Sequence, residues 1–421
     1  MEGGAVGTTS SRMLALATVG FLVNFWAWAL ISPLGAAYGD ELDLSPFQQA
    51  FLVAVPVLVG SLGRIPVGAL TDRFGARLMF PLVTTATIVP VLFIGLVADT
   101  YLLLVLGGFL IGLGGTTFAI GVPLVNSWFP PQRRGLALGI FGAGMGGTAI
   151  SAFTTVRLAD AYGRAVPFLL VAVVLAVYAG VSALLLRDAP GRVPATGSFL
   201  RRTWDVARIP STMQLSLLYA VGFGGFVAFS VYLPTYLRNA YDLSQGDAAL
   251  RTAGFVVVAV AMRPLGGWLS DRVGPVPVLA VCFCATAVLA AVAALGLPLD
   301  PVGTVAFLGL AAALGAASGG VFALVALVAP ATKVGAVTGI VGAAGGLGGF
   351  VPPLVMGLVL GWFDSYGLGL ALLSLVALGT AAFTWWPVRR RVETTSPDAA
   401  PSPQNRVPQS VPARQPGRTS P

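Results

Sequence analysis

The chain has 421 residues, of which 56% are hydrophobic and only 10% charged, with a mean hydropathy of +0.88. A water-soluble domain carries about 25% charged residues, so this composition excludes an ordinary soluble enzyme or binding module. The net charge of +8 and pI near 10.0 do not mark a nucleic-acid partner, because the basic residues sort by connecting segment, as set out below.

An α-helix needs about 20 apolar residues to cross a bilayer. The runs 13–38, 47–71, 78–98, 101–126, 135–159, 165–187, 211–237, 248–270, 276–297, 302–328, 335–361 and 366–387 meet that requirement. They predict an all-α polytopic membrane protein, with twelve transmembrane helices in two pseudo-symmetric six-helix bundles. Residues 1–12 are expected to be a short disordered cytoplasmic lead, and 13–187 the N-terminal bundle. Residues 188–210, with Pro190, Pro194, Gly197 and several arginines, form a cytoplasmic linker. The C-terminal bundle follows over 211–387, and 388–421, rich in Pro, Ser, Thr and Arg, is expected to be a disordered cytoplasmic tail.

The first run holds Phe21, Asn24, Phe25, Trp26 and Trp28 before an acidic loop, Asp40 to Asp43. Ser45 followed by Pro46 fits a helix N-cap and first-turn proline for the second run. That run carries Arg64 and ends in Asp72-Arg73-x-Gly75. The fourth, glycine-rich, holds Phe118 and stops at Pro130-Pro131, and the fifth contains Gly139 to Thr148. In the second half the seventh run holds Tyr219 and Phe223, and the eighth holds Arg263 before Asp271-Arg272-x-Gly274. The ninth holds the two cysteines, Cys282 and Cys284, which face different directions on a helix and do not bridge.

Arg73, Arg77, Arg133, Arg134, Arg187, Arg192, Arg272 and Lys333 fall between runs on one side. Asp40, Glu41, Asp43, Asp99, Asp242 and Asp300 cluster on the other. By the positive-inside rule both termini are cytoplasmic, in a multi-pass protein of the cell membrane.

The second half repeats the first. Arg64 to Arg263 and Asp72 to Asp271 are both separated by 199 positions, and Gly139 to Gly339, Pro130 to Pro330 and Arg133 to Lys333 by 200. Several anchors at nearly one offset indicate an internal repeat.

Depth gives the arginines their meaning. At about 1.5 Å per residue, the eight residues from Asp72 to Arg64 cover ~12 Å, against a hydrocarbon half-thickness of ~15 Å. Arg64 and Arg263 therefore lie near the midplane, where a guanidinium costs ~2.5 kcal/mol or more. No Asp or Glu lies deep in any run. Two such forks facing one cavity would suit a small planar oxyanion; the competing reading is a structural pair satisfied by backbone carbonyls. The Asp72-Arg73 and Asp271-Arg272 turns, at helix ends, are expected to act in gating rather than substrate contact. The chain has no histidine, so imidazole metal ligands are excluded, and with no nucleophile cluster no enzymatic activity, metal or other cofactor is expected.

Gly68-x3-Asp72-Arg73-x-Gly75 resembles the loop signature between spans two and three of the major facilitator superfamily. Gly142-Ala-Gly144-Met145-Gly146-Gly147-Thr148 and Gly342-Ala-Ala-Gly345-Gly346-Leu-Gly348-Gly349-Phe350 resemble the span-five and span-eleven signatures of its nitrate/nitrite porter family. That resemblance implies transport of nitrate and nitrite, with the anion held by Arg64 and Arg263 and bonded by Tyr219, in the pattern Tyr219-x3-Phe223. Phe223, Phe25 and Phe118 would wall the site. The signature glycines would allow close packing and sliding of helices. Where the family commonly has asparagine, this chain has Met145. The partners implied are nitrate, nitrite and the lipid bilayer, with one chain sufficient for function. Exchange of the two anions is the favoured coupling; proton-coupled uptake, or carriage of another small or organic anion, are the alternatives.

Overall fold

A computed structural model describes residues 2–192, 204–328 and 334–390. Within them, twelve helices are long and apolar enough to cross a membrane. Spans 1 to 6 run Thr8–Glu41, Pro46–Phe74, Ala76–Leu96, Tyr101–Trp128, Ala137–Tyr162 and Val166–Leu185. Spans 7 to 12 run Pro210–Tyr241, Gln245–Val273, Pro275–Ala294, Leu299–Val325, Val337–Phe363 and Gly367–Val388. The first helix begins at Glu2, so the lead expected to be disordered continues span 1 instead; its small residues do not interrupt a helix once the apolar run has nucleated one. The expected tail from 391, most of the linker (193–203) and Lys333 lie outside the described residues.

Local chemistry sets the ends, and it repeats between the halves. Ser45 caps span 2 in a full capping box with Gln48, and Ser244 caps span 8 by accepting from Asp247 N. Asp43 and Asp242, just ahead of these caps, both take left-handed backbone angles, φ 50° and 54°. At the other end, Gly75 and Gly274 close spans 2 and 8 with φ of 90° and 89°. A side chain at either position would be strained.

Across the halves, span 2 packs on span 11 and span 5 on span 8, while spans 3 and 6, and 9 and 12, pair at the flanks. The flanking spans expose Leu82, Val89, Val173, Leu184, Val288 and Leu378, the surface a bilayer would cover. Two spans of the first half depart from regular α-helix along their length. Span 4 tightens to a 3-10 turn over Gly112–Thr116 and span 5 over Ala143–Gly146. Such tightened segments inside long helices often mark functional sites.

The two ends of the molecule differ. At the end bearing Asp40, the halves are bonded to each other. Ser32 Oγ donates to Val231 O at 2.6 Å, Gln245 Nε2 to Pro33 O at 3.0 Å and Asn239 Nδ2 to Gln49 Oε1 at 3.1 Å, and Arg238 pairs with Asp40. At the end bearing Asp72, the described bonds tie the first half to its own linker. Arg192 Nη2 donates to Asp72 O at 2.8 Å, and Asp188 Oδ1 accepts from Ala76 N at 2.8 Å and Arg77 N at 3.2 Å.

Candidate substrate site

The site grows from two arginines that reach across the boundary between the halves. Arg64, on span 2, is 6% exposed and Arg263, on span 8, is 7% exposed. Arg64 Nη1 donates to Gly342 O on span 11 at 2.6 Å, and its Nε donates to Gly115 O in the tightened segment of span 4 at 3.3 Å. Arg263 Nη1 lies against the Met145 sulfur, in the tightened segment of span 5, and its Nη2 donates to the Tyr219 hydroxyl at 2.7 Å. Each arginine thus bonds the glycine-rich segment of the opposite half. The segments are themselves repeat-related, since a Cβ added at Gly142 would sit 3.7 Å from Arg263 Nε and one at Gly342 would sit 4.0 Å from Arg64 Nη1.

These partners refine the sequence expectation. The two forks are not bare: carbonyls, a thioether and a phenol solvate them. None of these described partners is a carboxylate, so the hydrogen bonds are satisfied in part while both positive charges remain uncompensated. In a low-dielectric interior that is an expensive arrangement, and an anion relieves it.

Aromatic rings enclose the charges. The Arg64 guanidinium carbon lies 5.0 Å from the Phe118 ring centroid, and the two guanidinium carbons lie 5.9 and 5.5 Å from that of Phe223. The shared Phe223 ring means that the two charges are at most the sum of those lengths apart. Tyr219 stacks on Phe223 with centroids 4.8 Å apart and an interplanar angle of 3°. Phe25 contacts Phe21 and Trp28 and lines the cavity beside Arg64. Phe322, on span 10, carries no sequence signal of its own; its ring is 4.9 Å from Tyr219 and 5.5 Å from the Arg263 guanidinium. Nothing in one sequence separates it from the many packing phenylalanines.

Of the signature glycines, Gly142 and Gly342 lie at the arginines, Gly345 against Tyr219 and Phe223, and Gly346 against Ser61. Gly144 and Gly147 press on span 1, and Gly348 and Gly349 on span 7. At Gly146 an added Cβ meets nothing within 4 Å, as at Gly139 and Gly339 on the Asp72 side of the site. The expected gating residues lie away from the arginines. Arg73 stacks on Phe74 at 5.3 Å and Arg272 on Trp268 at 4.1 Å, each within its own helix end. The Asp72 carbonyl receives Arg192, and Asp271 sits in the turn with Arg272.

Tyr219→Phe removes the acceptor for Arg263 Nη2 while keeping the stack on Phe223. A hydrogen bond to a charged group contributes about 1.5–3 kcal/mol, so the variant, which leaves Arg263 Nη2 without its acceptor, is expected to lose thermal stability and to bind a planar anion roughly 10-fold or more weakly. A thermal melt and a binding titration check the two parts, and unchanged affinity would remove Tyr219 from the site.

A profile of the Major Facilitator Superfamily matches residues 17–298 and 215–417. The "Probable nitrate/nitrite transporter NarK2" of Mycobacterium tuberculosis is 50% identical over 374 residues, covering 88% of this chain and 95% of its own. The "Nitrite extrusion protein" of Bacillus subtilis is 36% identical over 373 residues, covering 89% and 93%. Among solved structures, a bacterial homolog of the human lysosomal transporter Spinster, inward-facing and occupied, aligns with a TM-score of 0.69 at 18% identity, over 90% of this chain and 97% of that one; this likeness bears on the fold alone. The paired arginines, the glycine segments they bond and these relatives converge: the chain belongs to the nitrate/nitrite porter family of the major facilitator superfamily.

Proposed function

We propose that the protein carries nitrate and nitrite across the cytoplasmic membrane by alternating access, as an exchanger of one anion for the other. The relatives named as a nitrate/nitrite transporter and a nitrite extrusion protein support the substrate class, and so does the "Probable nitrate/nitrite antiporter NarK1" of Thermus thermophilus, 35% identical over 276 residues, 62% of each chain. The observation that carries the mechanism is the reciprocal bonding of Arg64 to Gly342 O and of Arg263 to the Met145 sulfur. A planar oxyanion offers better acceptors to the same N–H groups than a carbonyl and a thioether do. Binding it draws both forks onto one ligand and releases each from the opposite half, so that occupancy and the rocking of the halves are linked.

With the Asp72 end cytoplasmic, as the loop arginines favour, the bonded Asp40 end is the external one. The glycines at the span 2–11 and span 5–8 boundaries let the halves rock, and the Asp72-Arg73 and Asp271-Arg272 turns close the cytoplasmic end in the alternate state. Both arginines, the tyrosine and the ring wall come from one chain, which supports a working monomer.

Exchange is favoured over proton coupling because the acidic side chains lie at helix ends and the chain has no histidine. Counterflow in proteoliposomes separates the two. Labelled nitrate uptake is expected to need nitrite or nitrate inside and to ignore an imposed pH gradient. Equal uptake into vesicles lacking internal anion, driven by acid outside, would replace exchange with symport.

A further inference from the structure

A small cavity adjoins Arg64. Its volume is about 10 Å³, and it is lined by Phe25, Trp28, Ser61, Arg64, Phe223 and Gly346 among others, enough for roughly one water. Gly115 and Phe223 line it at the level of the guanidinium, and the rest of its lining places it on the Asp40 side. Ser61 precedes Arg64 on span 2, which descends from the Asp40 end, and Trp28 follows Phe25 on span 1, which rises toward it. Likewise Gly346 follows Gly342 on span 11. Beyond the cavity in that direction come the bonds that join the halves, with Ser32 on Val231 and Gln245 on Pro33.

The cavity's polar groups suit an oxyanion. Arg64 commits Nε and Nη1 to carbonyls, and its Nη2 has no hydrogen-bond partner among the described residues. Ser61, 1% exposed, donates its hydroxyl hydrogen to Val57 O at 2.7 Å, a bond within its own helix that rotation about one side-chain torsion exchanges for another. The Trp28 indole N–H is held by Pro56 O at 3.0 Å, which fixes that ring as a wall. The Ser61 hydroxyl also occupies the space that a Cβ at Gly346 would fill, so this serine and that glycine fit together across the boundary between the halves.

We infer that this cavity is the closed form of a second anion station, on the external side of the arginine pair, in which Ser61 donates to nitrate or nitrite entering or leaving through the Asp40 end. The inference rests on the exchanger reading for its substrate class. When spans 1 and 2 part from spans 7 and 11, the cavity widens from one water to an anion, and the Ser61 hydroxyl turns from Val57 O to an anion oxygen. Arg64 Nη2 holds the other side. Ser61 then acts on one face of the membrane only, unlike the arginines, which serve both.

The test is the sided kinetics of Ser61→Ala in proteoliposomes of defined orientation, with Ser61→Cys as the control that keeps volume but loses the strong donor. Losing one hydrogen bond predicts a KM for external nitrate raised about 5-fold in both variants, with the internal KM and the maximal exchange rate unchanged. Nitrate quenching of the fluorescence that Trp28→Phe removes reports the cavity without transport, and its midpoint should rise by about the same factor in Ser61→Ala. Equal changes on both faces, or a wild-type external KM and quenching midpoint, would overturn the station and leave Ser61 a helix-bonded serine. If the wild type exchanges neither anion, the exchanger reading fails instead, and the quenching titration still decides whether the cavity takes nitrate.

Discussion

Nitrate exchange by Arg64→Lys is expected to fall at least about 100-fold, and by Arg263→Lys by a similar factor, with both proteins folded and inserted. Lysine keeps the charge, so a site that needs only positive potential would survive the change. The fork is what is lost. Arg64 spans Gly115 O, Gly342 O and the cavity with three separate nitrogens, and Arg263 spans the Met145 sulfur and the Tyr219 hydroxyl with two. One ammonium nitrogen cannot serve acceptors on opposite halves and a planar anion at once. Losing one charged hydrogen bond and the alignment of a second costs roughly 3 kcal/mol, or about two decades in rate or affinity. Counterflow of labelled nitrate, with surface-exposed protein quantified, measures it. Retention of half the wild-type rate would mean that the arginines supply only field.

Gly147→Ala should be among the most damaging single substitutions outside the arginines, and it acts on stability. An added Cβ at Gly147 would lie 2.7 Å from Trp26 N and closer still to the Leu22 carbonyl. Both are backbone atoms of span 1, and backbone atoms in a packed helix cannot turn aside as a side chain can. Separation of spans 1 and 5 should cost about 3 kcal/mol or more, seen as a large fall in the apparent melting temperature in detergent or loss of recoverable protein. Gly146→Ala, at the neighbouring position where nothing lies within 4 Å, should melt like the parent. The pair distinguishes two glycines that the sequence signature treats alike. Equal melting of the two variants would show that the signature glycines are not packing constraints in this fold.

That contrast also shows what a single sequence carries and what it leaves out. The depth of Arg64 could be counted from Asp72 because a helix has a fixed rise, and Arg263 followed from the repeat. The same offset links Asp43 to Asp242, whose left-handed angles recur in the structure; it was available in the sequence but has no value until the backbone angles are known. The partners of the arginines were not legible. Gly342 O and Gly115 O are backbone acceptors that any residue could provide, and their direction depends on helix packing and on the tightened turn of span 4. The lack of an Asp or Glu deep in any span is plain in the sequence, but the carbonyls and the thioether that solvate the guanidiniums are not. Met145 was visible only as a departure from an expected asparagine, whereas in the fold its sulfur is a direct partner of Arg263. The roles of Asp188 and Arg192, which hold the turn of Asp72 to Gly75 from the linker, depend on contacts more than 100 residues apart in the chain that no local pattern signals.

The central claim is that one anion is held jointly by Arg64 and Arg263. Equilibrium binding of isotopically labelled nitrate to the purified protein addresses it directly, using the wild type, Arg64→Lys, Arg263→Lys and the double variant. The joint site predicts saturable binding to the wild type that nitrite displaces, and its wild-type affinity is lost in either single variant as fully as in the double. Saturable binding that persists in either single variant at wild-type affinity, and disappears only in the double, would mean two independent arginine sites and would contradict the shared clamp.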